Sequence, residues 1–487
     1  MANVDELKEV RLKKLMALEN AGISAYPNKT KRTHTCQQAL DDFTEIVKSK
    51  KEIILVGRIK SLREHGGLCF ADIEDGTGKI QVFLRKDRLG EKLYAFFLES
   101  FDIGDFIEIK GTLFITKRGE KTIEAADFKM LAKSLLPLPE KWRGLQDAEE
   151  RYRKRYLDII FNKEVKEKFE LHAKIIREMR NFLEKQGFLE VETPVLQPIY
   201  GGASAKPFKT RHNALGMDFY LRISPELYLK RLLVAGFEKI YELGKCFRNE
   251  GMDRSHNPDF TMLEFYWAYS DCKDLMKFTE EFLSATVKKV FGKLEIEYES
   301  EKINFKTPWE RIEYKDIFRK EFGIDYETVN RDSLAKEAEK HNIEIKKAMT
   351  KAEIADEMFK ICRTRIKGPA FIINYPKGFF PLCKASEKNP EILESFQLII
   401  AGFEIVKAFS ELNNPIEQRK RFEEQENLFK EGMEEAQRID EDFLEAMEHG
   451  MPPASGWGIG VDRFVSILTN SHSLKEAILF PAMRPKS

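Results

Sequence analysis

The stretch "FRNEGMDRSHNPDFTMLEFYWAY", Phe247 to Tyr269, carries basic and amide side chains in its first half and acids among aromatics in its second. One continuous run thus presents Arg248, Glu250, His256, Phe260 and Glu264, a mixture that a single small ligand seldom needs. Two adjacent ligands account for it, one met by the cations and a ring, the other by the acids. Working outward, two further segments line up with this run: "FLEKQGFLEVETPVL" at 182–196 and "GWGIGVDRFVSIL" at 456–468. The glycine-rich segment alone is weak evidence. The three in this order, behind a set of short strands, are strong evidence for one site assembled from distant parts of the chain.

A chain of 487 residues is too long for one ordinary core, so two or three domains are expected. Apolar residues at 42% and charged residues at 33% describe a soluble globular protein. No run of about eighteen apolar residues occurs, and "MANVDELKEV" lacks the apolar centre of a signal peptide, so a cytoplasmic protein without membrane contact is expected. Cys36, Cys69, Cys246, Cys272, Cys362 and Cys383 are scattered without a CxxC pair, which argues against a disulfide framework and a zinc site. Formal net charge is zero, so any nucleic-acid contact must come from local patches.

The opening "DELKEVRLKKLMALENAGI" spaces Leu7, Leu12, Leu15 and Leu18 as a helix that stops at Gly22. Its Lys8, Arg11, Lys13 and Lys14 read either as a solvated face or as phosphate contacts. From Ile53 the period changes to two, in short runs broken by Gly and Asp-Gly turns. Several strands in about eighty residues suggest a five-stranded OB-fold barrel, whose exposed face binds oligonucleotides. On it Arg58, Phe70 and Gln81 fit a single-strand reader as cation, stacking ring and base-edge amide, although Phe70 alone also reads as core. "LLPLPEKWRGLQDAEERYRKRYLDII" follows as a hinge with Arg151, Arg153, Lys154 and Arg155, either a solvated charge run or an RNA contact. Beyond about residue 161 helices and strands alternate, with a charged helical insert around 325–370.

The segments "GGASAKPF", "RISPELYLKRLLVAGFEKIYELGKCFRNEG", "HNPDFTMLEFYWAY", "FSELNNP" and "HGMPPASGWGIGVDRFVSILTNSHSLKEAILFPAMRP" resemble the class II aminoacyl-tRNA synthetases, in their lysine-specific version, over essentially the whole chain. The resemblance implies an α+β catalytic domain on an antiparallel sheet, with an all-β anticodon-binding barrel before it. It implies ATP-dependent activation of L-lysine, transfer to tRNA(Lys), Mg2+ as cofactor and a homodimer with 172–196 at its interface. By family position Arg248 holds the α-phosphate and the amino-acid carboxylate, and Arg463 the γ-phosphate. An Arg fork suits phosphate because it bonds two oxygens at once. Phe260 and Glu250 take adenine, with His256 near the phosphates. A lysine side chain is a cation on an apolar stem, so its pocket needs carboxylates at the end and a ring alongside. Glu411 and Tyr266 are expected at the ε-ammonium, Phe409 beside the stem, Gly202 and Glu226 at the α-amino group, and Glu264 as added negative charge.

Two departures stand in "ESFQLIIAGFEIVKAFSELNNP": Gln397, where the family usually has an acid that binds magnesium with Glu404, and Lys407, where it has Asn. Glu404 and Glu411 are therefore expected to hold the main metal. If Ala401 and Gly402 turn the hairpin, Glu404 pairs with Ile399, and strict alternation puts Lys407, Phe409 and Glu411 on the opposite face from Gln397 and Glu404. One pocket cannot use both faces, so a bulge is expected nearby.

The domains expected are a helical extension at 1–50, an OB-fold domain at 51–134, a basic linker at 135–160 and a catalytic domain at 161–487. Rival readings are a class II relative charging aspartate or asparagine, a lysine ligase that modifies protein, and a catalytically weakened synthetase-like RNA-binding protein. The barrel argues against the second rival.

Overall fold

The computed structural model describes residues 4–139, 147–346 and 349–485. It divides into two compact units, 1–145 and 146–487. In the first, β1 (Ile53–His65), β2 (Leu68–Glu74), β3 (Lys79–Arg85), β4 (Phe106–Ile115) and β5 (Lys121–Ala132) close a barrel in the order β1-β2-β3-β5-β4. Alternate residues such as Ile53, Leu55, Ile73, Val82 and Ile109 fill its interior. At Gly57 an added Cβ would stand 3.0 Å from the Glu74 backbone, so β1 and β2 cross where only glycine fits.

The N-terminal helix Val4–Asn20 divides its basic residues between two tasks. Arg11 is buried and donates to the carbonyls of Ser134 (2.8 Å) and Ile103 (3.0 Å), and Lys14 pairs with Asp102 at 2.8 Å. Both tie the helix to the barrel, whereas Lys8 and Lys13 remain exposed.

The second unit is built on eight strands: β6 (Leu189–Glu190), β7 (Lys239–Phe247), β8 (Asp259–Ala268), β9 (Glu310–Glu313), β10 (Ala370–Ile373), β11 (Ser395–Ile400), β12 (Phe403–Ser410) and β13 (Ala454–Gly460). Their order is β9-β10-β11-β12-β13-β8-β7-β6, parallel at the two outermost pairs and antiparallel between. One face packs on the long helices Lys163–Lys185 and Cys272–Phe291 through Phe265, Phe282, Leu398, Val406 and Trp457. Trp457 is buried there because its indole N–H reaches the Thr279 hydroxyl at 2.9 Å. The other face carries the polar residues of the site.

Parallel β9 and β10 need a crossover. The helices Arg331–Lys340 and Lys351–Arg363 lie in that connection, within the span read as an insert.

The expected basic linker ends sooner than 160. Its residues 140–146 lie outside the described residues, and from Asp147 the chain caps the helix Ala148–Arg153 and continues into Arg155–Phe161. The basic side chains there are engaged in the second unit itself. Arg155 is buried, with its guanidinium on Asp158 (2.8 Å) and the Lys475 carbonyl (2.7 Å); Arg151 also bonds Asp158, and Arg153 and Lys154 pair with Glu149 and Glu150.

Candidate active site

The hairpin of β11 and β12 turns at Ala401 and Gly402, both with positive φ (51° and 78°), the geometry of a two-residue type I′ turn. Glu404 pairs with Ile399, but Val406 pairs with Leu398, so Ile405 is an extra residue. This bulge reverses the alternation. Gln397, Glu404, Lys407 and Phe409 all face one cavity of about 750 Å³.

The cavity is a trough floored by β13, where Gly456, Gly458 and Gly460 alternate on its face. A Cβ at Gly456 would lie 2.1 Å from Glu411 Oε1 and 2.6 Å from the Tyr266 ring, so the strand must be bare there. Flanking β12 sets Phe409 beside Gly456 and Lys407 beside Gly458; flanking β8 sets Tyr266 and Glu264 against the same two glycines.

One end of the trough is acidic. Glu226, Glu264 and Glu411 are buried around a single buried cation, Lys230. Lys230 bonds Glu226 at 2.6 Å, ion-pairs with Glu411 and lies 5.6 Å from the Phe409 ring centre. Glu411 Oε2 is met by Lys230, while Oε1, the oxygen nearest Gly456, has no hydrogen-bond partner, an unmet demand for a donor at the floor. Burial raises Glu411 well above the usual carboxylate range, with Lys230 opposing. Glu264 accepts from Ser224 (2.8 Å) and Tyr266 (3.2 Å), and burial, with the charge of Glu226, pushes it up to about 8. Burial also raises the Tyr266 phenol well above its ordinary value. Gly202, at φ +82°, approaches so closely that a Cβ would meet Glu226 Cβ at 2.8 Å.

The other end is basic. Arg248 stacks 5.0 Å from the Phe260 ring centre, and its buried Nε has no hydrogen-bond partner. Arg463, in the first turn of the helix Val461–Leu468, donates to the carbonyls of Ser255 (3.3 Å) and Glu404 (3.4 Å). Burial lowers its pKa, and the neighbouring Arg363 and Arg248 lower it further, with Glu404 opposing. Arg463 thus feels two further guanidiniums, Arg248 and Arg363, against the one carboxylate of Glu404, an arrangement that asks for an anion. Glu250 and His256 line the same end, exposed, and His256 Nδ1 lies 2.8 Å from Asp253.

The metal pair expected from sequence is not brought together. Seven residues separate Glu404 from Glu411 on one extended run, roughly 20 Å along the strand direction, too far to share an ion. Glu411 is committed to Lys230, while Glu404 faces Arg363 at 3.6 Å. The Gln397 amide oxygen accepts from the Tyr375 hydroxyl at 2.8 Å. Among the described residues no group of three or more His, Cys, Asp or Glu is disposed to hold a metal. These residues do not fit a divalent ion held by the Glu404–Glu411 pair.

Sequence reasoning missed several groups around the site. Lys230 stands four residues after Glu226 on the helix Glu226–Val234, a spacing that could have signalled the pair. Asp356 and Lys360 from the crossover helix and Phe380 from the loop before β11 line the cavity, Arg363 meets its Glu404 without lining it, and neither segment carried a local sign.

On the barrel, Phe70 stacks on Phe83 (4.6 Å between centroids), which adjoins Phe114 (5.8 Å), and Gln81 accepts from the Thr122 hydroxyl at 2.9 Å. Arg58 does not join them. It pairs with Glu74, four residues or roughly 13 Å along β2 from Phe70, and its guanidinium bonds the Gly104 carbonyl and covers Phe106 at 4.2 Å. The cation that pairs across from Phe70 is Arg63, largely exposed.

Residues 147–484 match the family model described as class II tRNA synthetases (D, K and N), and residues 53–131 match the OB-fold nucleic acid binding domain. The chain is similar, at 47% identity, to a lysine–tRNA ligase of Pelotomaculum thermopropionicum, with 99% of this chain and 96% of the relative covered. It is 48% identical to one of Carboxydothermus hydrogenoformans, with 99% of each covered. To one of Aquifex aeolicus it is 47% identical over 90% of this chain and 74% of the relative.

Proposed function

Because the chain belongs to the class II tRNA synthetases of the aspartate, lysine and asparagine group, and within it is a lysine–tRNA ligase, we propose that its trough holds L-lysine and ATP end to end. A lysine carboxylate oxygen attacks the α-phosphorus of ATP; a P–O bond forms, the bond to the β-phosphate breaks, and pyrophosphate leaves with the electron pair. The 3′-terminal hydroxyl of tRNA(Lys) then attacks the lysyl carbonyl, an ester C–O bond forms, the C–O bond to the phosphate breaks, and AMP departs with the hydroxyl proton on its phosphate. No enzyme nucleophile is needed, so catalysis is positioning and electrostatics.

The observation that carries this reading is the charge of the acidic end. Glu226 and Glu411 share the one ammonium of Lys230, and Glu264, protonated to about pH 8 in the free protein, can ionise when an ammonium arrives, so this end offers acceptors for the two ammonium groups of lysine. Glu411 and Tyr266 receive the ε-ammonium, with Phe409 along the stem. Glu226, Glu264 and the bare backbone of Gly202 receive the α-ammonium. An aspartyl or asparaginyl enzyme would need a cation where Glu411 stands.

At the basic end Arg248 holds the α-phosphate and the lysine carboxylate, Arg463 the γ-phosphate, Phe260 and Glu250 the adenine, and His256 sits near the phosphates. Glu404, beside Arg363 and Arg463 at the basic end, would be the carboxylate to meet a magnesium ion bound with ATP, which would neutralise phosphate charge. Phe70 and Gln81 read the anticodon on the barrel. A homodimer joined through 172–196 in the cytoplasm completes the reading, supported by the exposure of Leu189, Val195 and Leu196.

The test is pyrophosphate exchange into ATP with lysine, aspartate or asparagine. Exchange with lysine alone supports the reading; exchange with aspartate or asparagine overturns the specificity, and silence with all three revives the RNA-binding alternative.

A further inference from the structure

Lys407 is a cation in the middle of the trough for which neither end of the site accounts. Its ammonium lies 3.8 Å from the centroid of the Phe380 ring, held on the aromatic face, and it has no ion pair among the described residues. Its cross-strand neighbours are uncharged: Gln397 on β11, whose amide oxygen is taken by Tyr375, and Gly458 on β13. The nearest acid on the crossover helix, Asp356, feels its charge but pairs with Lys360 at 3.8 Å. A cation so placed near an acidic pocket repels a dicationic substrate unless it meets an anion.

The strand spacing says which anion. Glu411 reaches over Gly456, so the ε-ammonium of a bound lysine lies above that residue. Two residues along β13, about 6.7 Å, lead to Gly458. The six-bond chain from ε-nitrogen to carboxyl carbon spans about 7 Å when extended. The carboxylate therefore falls above Gly458, flanked by Lys407 on β12 and Glu264 on β8. Of the two flanking groups only Lys407 carries a positive charge to attract it.

We propose that Lys407 binds the carboxylate of the substrate lysine, orienting the attacking oxygen opposite Arg248. The proposal rests on the reading of the trough as a lysine site. It also makes chemical sense of Gln397: with no charge across from it, Lys407 is left free for the substrate.

Cadaverine tests this directly, because it keeps both ammonium groups of lysine and lacks only the carboxylate. Calorimetric binding of L-lysine and of cadaverine would be compared in the full chain and in its Lys407→Gln and Lys407→Arg variants. Lys407→Gln is expected to weaken lysine by about tenfold to a hundredfold and to leave cadaverine unweakened. Lys407→Arg is expected to keep most of the preference for lysine. Should the glutamine variant not fold, Lys407→Met reads the same ratio. Equal weakening of both ligands, or no change in either, overturns the role of Lys407. If the unaltered chain binds no lysine at all, it is the function that fails.

Discussion

Glu264 keeps its proton to about pH 8 because it is buried beside Glu226, whereas an ordinary glutamate loses it near 4.5. In the free protein the folded carboxyl thus binds a proton more tightly than the unfolded one, and stability falls as pH rises from about 4.5 to about 8. An arriving α-ammonium favours the ionised form, so lysine should bind more tightly as pH rises towards 8 and should release up to about one proton per site near neutrality. Calorimetry in buffers of different ionisation enthalpy measures that release. Glu411 gives a second prediction. Glu411→Gln removes the carboxylate that meets the ε-ammonium and leaves Lys230 only Glu226, at about 3 kcal/mol, so the KM for lysine should rise roughly a hundredfold while the KM for ATP holds. Of the residues expected at this end, Glu226, Glu264, Tyr266 and Phe409 line the cavity, whereas Glu411 is fully buried against Lys230 and does not. Lys230 was not legible from sequence, because a lysine four places along a helix usually marks a solvated pair. Its burial depends on which strand the helix covers.

At the scale of the element, β12 and β13 make the site. The extra residue Ile405 was foreseeable from parity alone, because functional groups at odd and even positions cannot share a face without it. The glycines of β13 were visible as a motif, but their reason is steric and emerges only with β8 and β12 beside them. Gly456→Ala should therefore displace Glu411 and Tyr266, abolish lysine-dependent exchange, and leave binding of a fluorescent ATP analogue within about threefold, as expected of a change confined to one end of the trough. The crossover helix Lys351–Arg363 was recognised as helical from its pattern, yet nothing local announced that Arg363 would reach Glu404. That contact joins residues 41 positions apart, and its geometry is set by the sheet between them.

Across the whole molecule, each of the two units matches a family model of its own. The change of period at Ile53 and the hinge composition before residue 160 marked the division, although the helices from Asp147 belong to the second unit, where Arg155 is buried on Asp158. The Phe70–Phe83–Phe114 ladder on the barrel was only partly legible: period two gives the face, but which rings adjoin follows from closure of the barrel. Phe70→Ala should raise the KM for tRNA(Lys) about tenfold, in line with the loss of one stacked base, and leave lysine-dependent exchange unchanged. The most direct test of the whole account is aminoacylation of a tRNA(Lys) transcript by the purified protein, with ATP and radiolabelled lysine, aspartate or asparagine in parallel. Transfer of lysine alone is the predicted result; transfer of either other amino acid, or of none, would contradict it.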